Sequence, residues 1–269
     1  MQENIYLALT AELNRGRVRA ILSSGQAVVM HRLAMMSKDG DWILREDEEC
    51  LKHVLAVLDA RGARYRLGAP VDIRWMAAGW SAHFEFRTEV LRVRTDFITR
   101  PPRVSPDELA ALWSRAESAS EPIPFVDVET LAQLKKTNRE KDYAVIGELA
   151  RLIEDPVGQM LLSRSARDLV ALAEKHPEAL EQARRERPLL AHVVEGVGSL
   201  EAALDAERRQ LMHENERRLE AYTTAAQNWT NAWPGISAEI EGLPLFRAHA
   251  IIVERAEDLL PAEVEIRSQ

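Results

Sequence analysis

The chain has 269 residues, 46% hydrophobic and 29% charged, with a formal net charge of -8. That size and balance describe a soluble globular protein with one large domain or two ordinary ones, and the acidic excess argues against a long nucleic-acid partner. One cysteine excludes an internal disulfide and a cysteine-rich zinc site, and no apolar run approaches the roughly 18 residues of a membrane span.

In chain order, residues 1–4 are polar and lead no apolar segment of the kind a secretory signal needs, so the cytoplasm is the expected compartment. Ile5, Leu7, Ala8, Ala11 and Leu13 predict a helix over 4–14, with Gly16 as a stop. Residues 18–22 read as a strand, and Ser23-Ser24-Gly25 as a turn into a helix over 26–33. A strand centres on Trp42, Ile43 and Leu44. Cys50, Leu51, Val54, Leu55 and Leu58 predict a helix over 47–61, ended by Gly62. Two strands follow, 82–87 and 91–99, with Thr88-Glu89 at their turn. Pro106 at the first helical position opens a helix through Trp113, and 123–126 is short and extended. Helices over 127–136 and 139–153 come next.

Beyond Asp155-Pro156 the pattern is helical only. Helices are expected over 157–162, 165–174 and 177–186, with a long one from Ser199 toward Asn228. Pro234-Gly235 predicts a break before a last helix carrying Phe246, Ile251, Ile252 and Leu259. The division expected is an α+β domain over 1–153 and a helical domain over 154–269.

The run Ser37-Lys38-Asp39-Gly40-Asp41 brings two carboxylates to one face of a strand, because strand side chains alternate. Their Cα atoms would lie about 6.6 Å apart. At an effective dielectric of about 20 the pair repels by roughly 2.5 kcal/mol, which a divalent cation relieves. An Asp-x-Asp alone is more often a turn or surface feature. Asp96 is a third carboxylate in a strand; it either joins the first two or stands solvated beside Arg94 on its own strand face. Ser24-Gly25, between strand and helix, offers a hydroxyl, a close backbone approach and helix amides to a phosphate. His31, Trp75 and Trp80 read as packing residues before substrate contacts, Cys50 as a buried thiol, and the charged run 213–218 as a solvated helix face.

The order of Ser24-Gly25, Asp39-Gly40-Asp41 and Thr95-Asp96-Phe97, then Leu134-Lys135 and Arg139-Glu140-Lys141-Asp142, resembles the polymerase-beta-like nucleotidyltransferase superfamily over residues 17–152. The resemblance implies a mixed sheet with flanking helices, followed by an all-helical C-terminal region. It implies transfer of a nucleoside monophosphate from an NTP to an acceptor hydroxyl, with release of pyrophosphate. Asp39, Asp41 and Asp96 would be the catalytic carboxylates and would hold two Mg²⁺ ions. Ser24 and Gly25 would hold phosphates, with Lys135, Arg139 and Lys141 adding positive charge.

The chain departs from the family pattern in three places. Ser24-Gly25 replaces the usual Gly-Gly or Gly-Ser, Met35 stands where an arginine is common, and Gly40 replaces an aliphatic residue between the aspartates, where a bulge becomes available. These departures support an alternative: a catalytically inactive nucleotide-binding or protein-interaction module of a toxin–antitoxin-like pair. The residues do not choose among a small-molecule, protein or RNA-end acceptor. The long amphipathic helix points to a homodimer or partner contact in the helical region.

Overall fold

The computed structural model of the protein describes residues 4–119 and 122–266; residues 1–3 of the polar start lie outside them. Asn4 caps α1 (Ile5–Leu13) by accepting from the Tyr6 amide. β1 (Ala20–Ser23) runs straight into α2 (Ser24–Met30), and β2 (Gly40–Leu44) follows. Asp47 caps α3 (Glu48–Asp59), whose Cys50, Leu51, Val54, Leu55 and Leu58 are buried at the spacing read from the sequence. β3 (Arg64–Tyr65) and α4 (Ile73–Met76), of two and four residues, are too short to show a period in the sequence. β4 (Ala82–Arg87) and β5 (Arg92–Ile98) match the expected pair of strands. α5 (Pro106–Ser118) begins with a reciprocal Ser105–Glu108 capping box.

The remainder is helical: α6 (Val128–Leu134), α7 (Glu140–Ala150), α8 (Pro156–Leu162), α9 (Ala166–Lys175), α10 (Pro177–Glu186), a 3₁₀ helix (Pro188–Glu195), α11 (Val197–Ala225), α12 (Gln227–Glu239) and α13 (Leu245–Leu259). The break expected at Pro234-Gly235 does not occur, since α12 runs through Pro234. An interior proline costs a helix about 3 kcal/mol. Burial of Trp229 before it and Ile236 after it offsets that cost.

The sheet order is β1-β2-β5-β4-β3, with β2 and β5 parallel and the other neighbours antiparallel. One face is apolar. Leu22, Trp42, Phe84 and Phe97 pack there with Leu9 and Leu13 of α1, Val54 and Leu58 of α3, and Ile252 and Ala256 of α13. The chain forms two compact units, Met1–Val126 with Leu219–Gln269, and Asp127–Arg218. The boundary expected between residues 153 and 154 lies inside the second unit. The last two helices belong to the sheet unit through partly buried polar contacts as well as packing. Trp229 Nε1 donates to the Gly68 carbonyl at 3.0 Å, and the Tyr65 hydroxyl meets His249 Nδ1 at 2.7 Å. The second unit has its own core, with Met160, Leu169, Ala183, Leu190 and Leu200 fully or almost fully buried. The architecture is thus a mixed sheet flanked by helices with an all-helical region after it, as the resemblance implied. Among the described residues, no helix is long and apolar enough to cross a membrane.

Candidate functional site

The polar face of the sheet carries a row of side chains set by strand register. Ser23 of β1 lies opposite Asp41 of β2, Asp41 opposite Asp96 of β5, and Asp96 opposite His83 of β4. Neighbouring strands are about 4.8 Å apart, so each of these groups is beside the next. Asp39 comes one residue before β2 and shares the Asp41 face by alternation.

The loop before β2 is tied down from two sides. Gln26, 2% exposed, donates its Nε2 to the Ser37 carbonyl at 3.1 Å and the Asp39 carbonyl at 3.3 Å. The Tyr6 hydroxyl donates to the Lys38 carbonyl. Burial, followed by the negative charges of Asp39 and Asp41, pushes the Tyr6 phenol above its ordinary value. Gly40 sits in regular register with Thr95, and the available bulge is not used. A Cβ on Gly40 would fall 2.3 Å from Trp42 and 2.5 Å from Tyr6, so the aromatic rings occupy the space an aliphatic side chain would need. Ser24 has φ of 49°, a left-handed conformation that costs a non-glycine residue about 1–2 kcal/mol. A Cβ on Gly25 would fall 2.3 Å from Ser37 Oγ, so that glycine admits a neighbouring side chain of the protein itself.

Asp96 is engaged. His83 Nδ1 lies 2.6 Å and Arg66 Nη1 3.4 Å from its Oδ1. His83 Nε2 is in turn 3.0 Å from Ser81 Oγ. A carboxylate only accepts, so Nδ1 carries a hydrogen, and in the form with one ring hydrogen Nε2 accepts from Ser81 Oγ. Sequence reading passed over Ser81, His83 and Arg66. The signal that could have found the first two is the i, i+2 Ser-x-His spacing at the start of a strand, one hairpin away from Asp96. Asp39, Asp41 and Asp96 share a face, but among the described residues no group of three or more His, Cys, Asp or Glu side chains is placed to hold a metal ion. Asp39, Asp41 and Asp96 are the residues that would hold an Mg²⁺ pair, and Asp96 Oδ1 already meets His83 and Arg66.

The expected phosphate cations lie in the second unit. Lys135 is buried, with Nζ 3.6 Å from Asp142 Oδ1; Arg139 Nε donates to Asp142 Oδ2 at 2.9 Å, and Thr137 Oγ1 to the same oxygen at 2.6 Å. The Arg-x-Lys-Asp element is here an internal brace around a buried carboxylate. Lys141 is exposed. The packing residues read from sequence behave as such. His31 Nε2 meets the Val126 carbonyl, the Trp75 and Trp80 indoles donate to the Leu260 and Pro261 carbonyls, and burial pushes the Cys50 thiol up to about 12.

No family model matches the chain, and no curated protein matches it in sequence. Two solved structures are similar. One, of a candidate nucleotidyltransferase from H. pylori, is 12% identical, with 76% of this chain and 93% of that chain covered and a TM-score of 0.39. The other, of JHP933 from Helicobacter pylori, is 11% identical, with 81% and 94% covered and a TM-score of 0.39. Both likenesses are distant and concern the fold alone.

Proposed function

We propose that this chain is a binding module with a nucleotidyltransferase-like fold, a cytoplasmic protein that engages a protein partner as one half of a toxin–antitoxin-like pair, and that it does not perform two-metal nucleotidyl transfer. The observation that carries this reading is the 2.6 Å contact between His83 and Asp96, which commits the third carboxylate to a side chain of the same sheet. The ties from Lys135 and Arg139 to Asp142 support it, because a cation paired to a buried carboxylate has less charge to offer a phosphate. Met35, 99% exposed, and Met36, 76% exposed, put two adaptable apolar side chains at the tip of the loop before Asp39, as a contact surface would.

One observation favours the transferase reading: the parallel register sets Asp41 opposite Asp96, next to Asp39. In that reading an NTP is the donor, two Mg²⁺ ions use the three aspartates, and Ser24, Gly25, Lys135, Arg139 and Lys141 meet phosphates. It requires Asp96 to leave both His83 and Arg66. Calorimetry with ATP, GTP, CTP and UTP, with and without Mg²⁺, together with a pyrophosphate-release assay, separates the two. The binding-module reading expects no pyrophosphate and no Mg²⁺-dependent heat. Pyrophosphate release that Asp41→Asn abolishes would restore the transferase.

A further inference from the structure

Ser81, His83 and Asp96 make a hydrogen-bonded chain, and the proposed function draws only on its His83–Asp96 link. Ser81 Oγ is 3.0 Å from His83 Nε2, and His83 Nδ1 is 2.6 Å from Asp96 Oδ1. The three come from two adjacent strands. Ser81 directly precedes β4, His83 lies on β4, and Asp96 is its cross-strand partner on β5. Rigid pairing therefore holds the acid and the base, and no long loop is involved. Ser81 and His83 are both half-buried, so the hydroxyl stays accessible while the ring is fixed. Gly68 closes one side of the ring: a Cβ there would lie 2.5 Å from His83 Cδ2.

We propose that Ser81 is a nucleophile activated by His83, with Asp96 as the positioning residue that sets the ring tautomer, and that this site cleaves small carboxylic esters or thioesters. Nucleophile, base and orienting carboxylate stand in the order and at the distances that define such a relay on unrelated folds. Arg66 borders Asp96 and also lines an open cleft of about 860 Å³, together with Arg64, Leu67, Glu85 and Trp233. Glu85, two residues after His83 on the same face of β4, sets the edge of that cleft one strand repeat from the relay, where the acyl part of a substrate would extend.

The step balances without a cofactor. Ser81 Oγ bonds to the acyl carbon and its proton passes to His83 Nε2. The bond from the acyl carbon to the alcohol or thiol breaks, and that leaving group takes the proton. Water repeats the sequence on the acyl-serine, releasing the carboxylic acid and restoring Ser81. The net reaction is ester plus water to acid plus alcohol.

A fluorophosphonate probe tests this on the full chain, with peptide mapping to locate the label and p-nitrophenyl acetate hydrolysis as a second readout. The expected result is labelling at Ser81 and measurable hydrolysis, both lost in Ser81→Ala. His83→Gln should slow labelling at least about 100-fold, the usual contribution of a positioned general base. Asp96→Asn should also slow it, and Asp96→Glu should recover part of the rate, a rescue that a purely structural aspartate would not show. Thermal unfolding midpoints identify variants that remain folded; Ser81→Ala, at a half-buried position, suffices alone. Labelling confined to other serines, or labelling of Ser81 no faster than in heat-denatured protein or unchanged by His83→Gln, would overturn the proposal.

Discussion

Asp142 in the helical unit and Asp96 on the sheet are both held by cations, but their surroundings differ. Asp142 is 4% exposed and takes Lys135, Thr137 and Arg139. The Asp96 side chain is 29% exposed and takes His83 and Arg66. A carboxylate taken out of water needs every lone pair matched, so the partners of Asp142 are part of the fold. A carboxylate with water at hand has part of its charge solvated, so the partners of Asp96 carry less of the fold. The same residue type, one in each unit, weighs differently on stability, and burial decides how much.

The sharpest way to break the contrast is Asp142→Ala. It leaves the buried Lys135 ammonium uncompensated and should destabilise the protein by about 3–5 kcal/mol, read as a fall in the urea midpoint. A loss below about 1 kcal/mol would put Asp142 in the same class as Asp96. Next in size is Gly40→Val, which drives a side chain into Trp42 and Tyr6 beneath the polar row. Overpacking of this kind costs about 1–3 kcal/mol, and thermal unfolding would show it. Unchanged stability would mean that the rings under β2 can move aside. Smallest is Asp96→Asn. With the side chain partly solvated, the expected loss is about 1 kcal/mol or less in urea unfolding. A loss as large as that of Asp142→Ala would make Asp96 structural and remove the ground for the contrast.

Local patterns made most elements legible. The apolar stripe of α3, the alternation in β4 and β5, the capping serine and proline of α5, and the helical punctuation after Asp155 are short-range consequences of helix and strand periods. Pro234 misled because helix propensity is a local preference that the burial of Trp229 and Ile236 overrides. β3 escaped notice because its two residues are a strand only by pairing with β4.

The candidate site divides in the same way. Asp39, Asp41 and Asp96 were readable as carboxylates on strand faces, and Ser24-Gly25 as a turn into a helix, because these depend on a few neighbouring residues. Register lies beyond that range. That Asp41 lies opposite Asp96, that Asp96 meets His83, and that Lys135 turns to Asp142 are decided by strand pairing and helix packing. By itself the sequence determined which elements form and which charged groups they carry, since both follow from contacts a few residues apart. Only the tertiary structure decided which charge neutralises which, because a one-residue shift in pairing moves every side chain to the other face of the sheet.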